Sequence, residues 1–425
     1  MNNSIGTRYI IVVGGYKESL FETLSKLKQD YSEYQDAKFL VLTTNVDGVD
    51  STDDLIVEQT DFSDESLHEI MGRYGKDAIA VLCRGDKYVQ YLRKLLPFLP
   101  DGVRVSSEES LEIATNKRLM RQYFREAYPE ISPAYVSIAD ASAETIERIG
   151  SVVGYPAIIK PASLASSILI QRVDSREELE QALPATLEQV ASVYAREGRS
   201  EQPEIIVEEF LEGDFYSVDS YVLESGDVEH LPPVGYLPAA SMGIDDFFLY
   251  KRWLPVDISE DDIREARSVV ERAIAAMGLT WSSTHSELIK TARGWRVIEV
   301  GPRIGRFRNT MYAAACGVDH GYNDLLVHLG KRPDVSIPKH EQATAYSIYP
   351  TTEGILQSIQ GLDVLESMEP AIAYQMIDES KVGQPVHFAK NGGHALLEVV
   401  LHAQTADEMS VLSEAFESKV KAEVV

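Results

Sequence analysis

With 425 residues, 44% of them hydrophobic and 25% charged, the chain has a globular balance and the length of about three domains at roughly 150 residues each. A formal charge of −27 argues against a nucleic-acid surface, which needs clustered cations, but allows a nucleotide in a cleft lined by a few lysines and a metal ion. No run approaches the roughly 18 apolar residues of a membrane span, and the N-terminal residues lack signal-peptide features, so a cytoplasmic protein that binds neither membrane nor nucleic acid is expected.

Residues 9–13 form a short apolar run closed by Gly14-Gly15, followed by an amphipathic segment over 18–27. Two more runs of strand length, 38–42 and 78–83, complete a pattern of βαβ units on a parallel sheet. From Ser107 the pattern turns helical, with an apolar stripe at Leu119, Met120, Tyr123, Phe124 and Ala127 that Pro129 and Pro133 end. Strands are expected at 157–161 and 168–173, a helix over 176–195, and strands at 205–210 and 216–223. A loop spans 231–246, a helix over 260–277 stops at Gly278, and a hairpin pairs 283–290 with 295–300. The last 90 or so residues read strand, helix, strand, helix, as a third unit. Cys83 and Cys316 show no zinc spacing; free thiols are expected in a reducing compartment, one disulfide being the alternative.

The hairpin carries the strongest chemical signal. If its turn centres on Arg293, Glu287 and Glu299 lie opposite each other, with β-carbons roughly 4.5–5.5 Å apart. Two such carboxylates either sit solvated on an exposed face or repel until a cation joins them, and Mg²⁺ is commonly held by one or two carboxylates plus phosphate oxygens. Arg303 follows the strand closely, as a salt-bridge partner or as a fork for an anionic substrate. Upstream, Lys117 starts a helix and Lys160 ends an apolar strand. Each alone reads as a surface lysine, and together they are cations suited to a triphosphate.

Four segments, in order, resemble the ATP-grasp superfamily and within it the carboxylate–amine ligases of the L-amino-acid ligase type. They are Asn116-Lys117-Arg118, Ile158-Ile159-Lys160-Pro161, Val207-Glu208-Glu209-Phe210-Leu211-Glu212-Gly213, and Thr284-His285-Ser286-Glu287 through Glu299-Val300-Gly301-Pro302-Arg303-Ile304-Gly305. The resemblance covers about residues 114–330 and implies an α/β and α+β chain. An N-terminal βαβ domain (1–113) would precede a two-lobed ATP-binding core (114–330, mobile lobe about 134–210) and a C-terminal α+β domain (331–425). It implies that Lys117 and Lys160 contact the phosphates of ATP, that Glu208 and the backbone of Glu209, Phe210 and Leu211 face adenine, and that Glu287 and Glu299 hold Mg²⁺, with Mn²⁺ as a substitute. Arg303 would steady the substrate carboxylate and an acyl phosphate.

Three positions depart from the family pattern. Phe215 stands where a ribose-binding glutamate is frequent, leaving Asp214 or Glu212 for that contact. Gly301 replaces a common asparagine ligand. The loop over the phosphates, Pro161 to Ser167, is not glycine-rich and offers Ser166 and Ser167 hydroxyls instead. The loop 241–253 is expected to reach the substrate, with Lys251 or Arg252 as a second cation. The expected reaction forms an amide, between amino acids by family resemblance, with ADP and phosphate released. A biotin- or purine-type carboxylase and a non-catalytic nucleotide-binding protein are the rivals. A homodimer is common among such enzymes.

Overall fold

The computed structural model describes residues 7–14, 19–46, 51–165, 167–199, 201–224 and 226–425, and all counts and absences below refer to these. Gly15, Glu18 and Ser166, named above, lie outside them. The N-terminal sheet is parallel, in the order Leu55–Gln59, Ala37–Thr43, Arg8–Val13, Ala78–Cys83. Its strands read as unbroken apolar runs because both faces are covered. Ile10 and Val12 pack under the helices Ser19–Asp30 and His320–His328, while Ile11 and Val13 face Asp64–Tyr74 and Asp86–Leu95. One covering helix therefore comes from beyond residue 319, so the sheet is not completed within the expected domain 1–113.

A second sheet of nine strands forms the body. Its order is Gly294–Gly301, Ser282–Thr291, Asp214–Val222, Val234–Pro238, Leu249–Leu254, Gln342–Ile348, Leu397–Ala403, Ile372–Ile377, with Val228–His230 beside Asp214–Val222. The expected loop 231–246 contains a strand, since Val234 and Tyr236 are buried against both neighbours. The C-terminal residues add their strands to this same sheet, edge to edge with Leu249–Leu254.

On one face, Glu260–Met277 and Lys117–Ala127 bury Met120, Phe124, Val270 and Ala273 against Leu288, Trp295 and Val297. Ser259 caps the first helix at its start and Gly278, at φ 65°, ends it in the left-handed conformation.

The small lobe is an antiparallel sheet in the order Tyr135–Ile138, Ile205–Glu209, Ala157–Pro161, Gln171–Val173, packed under Ala143–Val152 and Arg176–Arg196. The strand expected over 168–173 begins only at Gln171; Ser167 and Leu169 take positive φ in a turn. Both cysteines are free and buried, and burial pushes their thiols up to about 12 for Cys83 and about 11 for Cys316. No helix of the described residues is long and apolar enough to cross a membrane.

Candidate active site

One face of the central sheet forms the floor of a cavity of about 740 Å³. Strand register places its polar groups in rows. Glu299, Glu287 and Ser217 pair across three strands, and Gly301, His285 and Asp219 form the adjacent row. A third row runs through Ile289, Phe215, Tyr236 and Arg252.

The two glutamates do oppose each other, though not for the expected reason. Thr291 pairs with Gly294, so the turn centres between Ala292 and Arg293, and a regular ladder would set Glu287 against Ile298. A bulge at Ile298 shifts the register by one and brings Glu299 across. The Ile298 carbonyl accepts from Arg121 Nη2 at 2.6 Å.

His285 buttresses this pair. Its Nδ1 lies 3.0 Å from Asp219, its Nε2 3.0 Å from the Tyr236 hydroxyl and 3.6 Å from Glu287. Asp219 is fully buried and accepts from Arg308 Nε (3.1 Å) and the Gly305 amide (3.2 Å). Burial alone would raise the Asp219 carboxyl, but His285, His320 and Arg308 hold it well below its ordinary value. Burial would likewise lower His285, yet Asp219 and Glu287 outweigh it and raise its pKa. Glu287 is lowered against its own burial by His285, Arg303 and Arg252.

Lys117 and Lys160 meet at the other wall. Asn116 caps the helix Lys117–Ala127 by accepting from the amides of Arg118 and Leu119, which fixes the chain where Lys117 leaves it. Lys117 Nζ donates to the Leu164 carbonyl at 2.8 Å and lies 3.1 Å from Glu299. Lys160 forms an ion pair with Glu208, whose other oxygen accepts from Arg121 Nε at 2.9 Å. Burial, with Arg121 and Lys117 pressing the same way, brings Lys160 down to about 8 against the pull of Glu208.

The Glu208 carboxylate, expected to face adenine, is thus turned toward two cations. A buried acid needs such partners, and they outweigh the burial that would otherwise raise it. The amides of Glu209 and Phe210 are also taken, by the carbonyls of Ala134 (2.9 Å) and Pro156 (3.2 Å), and the Glu209 side chain pairs with Arg293. Glu208, Glu209, Phe210, Leu211 and Asp214 all line the cavity, as do Ile158, Ile289 and Ile298 at this end. Phe215 stacks on Tyr236 with ring centroids 5.2 Å apart.

Arg303 reaches the cavity with its fork engaged. Its Nε donates to Asp86 Oδ1 at 2.7 Å and its Nη2 to the other oxygen. Burial would lower both the guanidinium and the acidity of its partner, but the pair overrides it, raising Arg303 and lowering Asp86. A β-carbon at Gly301 would come 3.3 Å from Asp86 Oδ1, so a larger side chain such as asparagine there would press on that pair.

The two candidate cations at 251 and 252 part company. Period-2 alternation sends Lys251 to the opposite face, 2.7 Å from Glu417, and it does not reach the cavity. Arg252 lines the cavity, buried, bonded to the Leu249 carbonyl and Ser347 Oγ (both 3.1 Å), and has no carboxylate partner among the described residues. Burial, aided by Arg308 and Arg306, lowers it to about 10, so it stays charged near neutrality. Ser167 borders the same cavity.

Asp86, Asp219, Arg121 and Arg308 were not found by sequence reasoning. Asp86 had one usable signal: it opens a helix three residues after the carboxyl end of a parallel strand at Cys83, where open α/β sheets collect ligands. Asp219 had another, an acid in the middle of a strand otherwise made, after its first residue, of aromatic, valine and serine residues. Arg121 and Arg308 sit in ordinary helical sequence and had none.

Residues 153–311 match the family model of the ATP-grasp domain. Among curated proteins, the uncharacterised y4rH of Sinorhizobium fredii is 27% identical over 263 residues, covering 60% of this chain but only half of its own length. D-alanine–D-alanine ligase of Delftia acidovorans is 27% identical over 292 residues, 66% of this chain and 80% of that one. The crystal structure of L-amino acid ligase from Bacillus licheniformis superposes over 99% of both chains with a TM-score of 0.77 at 15% identity, a likeness of fold. The ordered lysines, the opposed glutamates and these matches agree: residues 153–311 carry an ATP-grasp domain, and the chain is similar in sequence to D-alanine–D-alanine ligase and in fold to L-amino acid ligase.

Proposed function

We propose that this protein is an ATP-dependent ligase that activates a carboxylic acid as an acyl phosphate and joins it to an amine, with amino acids as both substrates. The observation that carries the reading is Arg252: a buried guanidinium with no carboxylate at ion-pair distance among the described residues, lining the same cavity as Lys117, Lys160, Glu287 and Glu299. A buried charge left without a counter-ion is costly, so this site is completed by an anion, and a carboxylate matches its fork. The relative from Delftia acidovorans, named for joining two alanines, supports the same choice.

ATP fits with its purine between Ile158, Leu211, Ile289 and Ile298, and its phosphates toward Lys117 and Lys160. Glu287 and Glu299 are hard oxygen donors on one face, and they would hold a divalent cation, Mg²⁺ or Mn²⁺, together with phosphate oxygens. Such a cation neutralises charge on the transferring phosphoryl group. The substrate carboxylate oxygen attacks the γ-phosphorus; the bond to the β–γ bridging oxygen breaks, and ADP leaves. The amine nitrogen then attacks the acyl carbon, the bond to the phosphate oxygen breaks, and the amine gives up a proton. Lys117, Lys160 and Arg303 place positive charge where negative charge collects on the phosphoryl oxygens. Asp219 and His285 keep Glu287 oriented throughout.

The test is phosphate release from ATP with Mg²⁺, screened against amino acids singly and in pairs, with Glu299→Gln as control. Release that depends on one pair, with a new amide seen by mass, is expected. Nucleotide binding without release for any acid or amine overturns the ligase reading.

A further inference from the structure

The turn Ser167–Ile170 borders the cavity just beyond Leu164, whose carbonyl holds Lys117. The Ile170 amide donates to the Ser167 carbonyl at 3.2 Å, and the third position of this turn is Leu169, at φ 58°. A turn with positive φ at its third position normally carries glycine, and a leucine there is strained. Ser167, at φ 61°, is strained as well. Strain of this kind persists only where surroundings impose it.

Two bonds from outside the small lobe do so. The Leu169 amide donates to the Lys390 carbonyl at 3.0 Å, and Ser167 Oγ donates to the Phe247 carbonyl at 3.2 Å. One side chain sets both acceptors. Asp246 is fully buried and accepts from the amides of Phe247 (2.8 Å), Ala389 (2.6 Å) and Lys390 (3.1 Å). Lys390 also closes on the neighbouring Asp245 at 2.7 Å. A carboxylate that draws three amides toward itself joins the segment before Leu249–Leu254 to the C-terminal turn at 389–391.

We propose that Asp246 is a positioning residue: by fixing Phe247 and Lys390 it latches the Ser167–Ile170 turn of the small lobe over the phosphate end of the cavity. The proposal rests on the reading of that cavity as the ATP site. Its chemical purpose follows from the intermediate. Water that reaches an acyl phosphate attacks it and returns the free acid and phosphate, wasting ATP, so a lobe held shut protects the coupling. Leu169 makes the latch necessary, because a strained turn relaxes once its two outside acceptors move.

The test uses the full chain with Asp246→Ala, Asp246→Asn, and Asp246→Ala combined with Leu169→Gly. Three quantities are read: phosphate released per amide formed, the KM for ATP against kcat, and protection of residues 167–170 from proteolysis by a non-hydrolysable ATP analogue. Asp246→Ala is expected to raise KM for ATP between about 10- and 100-fold, to release phosphate in excess over amide, and to lose nucleotide protection of the turn. Asp246→Asn, which keeps one acceptor oxygen, falls between, and Leu169→Gly restores part of the coupling. An unchanged phosphate-to-amide ratio and intact protection in Asp246→Ala, with only a lowered melting temperature, would show a purely structural role and overturn the proposal. Protection absent in the unsubstituted protein also overturns it, and locates the failure in the nucleotide reading; because proteolysis needs no turnover, it decides the latch even if no substrate pair is found.

Discussion

Glu287 and Glu299 stand opposite each other through a single extra residue, Ile298, whose freed carbonyl is taken up by Arg121. The same guanidinium holds Glu208, the counter-ion of Lys160. One helical arginine therefore secures both the carboxylate pair and the second lysine, and these two walls of the cavity are mechanically one.

Replacing either glutamate by glutamine removes one charge from the pair while keeping its shape. Phosphate release should fall on the order of 10²–10³-fold for each, with more Mg²⁺ needed to reach half-maximal rate. Steady-state assays across a Mg²⁺ titration check this; a Glu299→Gln enzyme within about threefold of the original in both respects would refute the metal assignment.

Arg121→Met strips a cation from a fully buried acid and leaves the Ile298 carbonyl unpaired. Breaking a buried pair in this way costs about 3–5 kcal/mol, so the urea midpoint should fall markedly. An Arg121→Lys variant keeps the charge but loses the fork that serves Glu208 and Ile298 together, and its midpoint should lie between the two.

The neighbours Lys251 and Arg252 should behave as strangers. Arg252→Met is expected to raise KM for the substrate carboxylate about 30-fold or more, the equivalent of roughly 2 kcal/mol, while ATP binding stays near normal. Lys251→Ala loses a half-exposed pair with Glu417 that contributes at most about 1 kcal/mol, and its kinetics should be unaltered. Equal kinetic damage from both would contradict the placement of Arg252 alone in the cavity.

Lys160 sets a pH dependence with two opposite signs. With its pKa lowered to about 8 by burial, the free enzyme loses this positive charge as pH rises through 8, and affinity for ATP should then fall by up to about tenfold per unit. Stability runs the other way. The unfolded lysine, near 10.5, holds its proton where the folded one does not, so this group's contribution is fully present above that value and is lost as pH falls through 8. Titration calorimetry with an ATP analogue and denaturant melts between pH 7 and 10 separate the two; Lys160→Met should abolish both trends.

What was legible in the sequence is what local pattern specifies. Gly278 marks where the helix over 260–277 stops, and the apolar runs at 9–13, 38–42 and 78–83 declare a parallel sheet. The lysines, the hinge and the two glutamates came with short motifs. What local pattern left open shares a different cause. Whether Glu208 turns outward or inward depends on Arg121, 87 positions away along the chain, and whether Arg303 is free depends on Asp86, 217 positions away. The side that Lys251 takes depends on register against residues 343–346, and the turn at Leu169 depends on a carbonyl from residue 390. Such partners are set by tertiary packing, which single-residue chemistry does not encode.

The helix His320–His328 has a consequence for how the molecule is made. It closes the apolar face of a sheet whose strands are all complete by Cys83. On the ribosome those strands emerge early, yet their covering piece follows only after the small lobe and most of the central sheet have been synthesised. The first sheet to appear is therefore among the last to be finished, and until then Ile10, Val12, Phe39 and Val41 present a sticky surface. A polypeptide cut short before residue 320 would keep that surface permanently, and aggregation rather than a soluble N-terminal fragment is its expected fate.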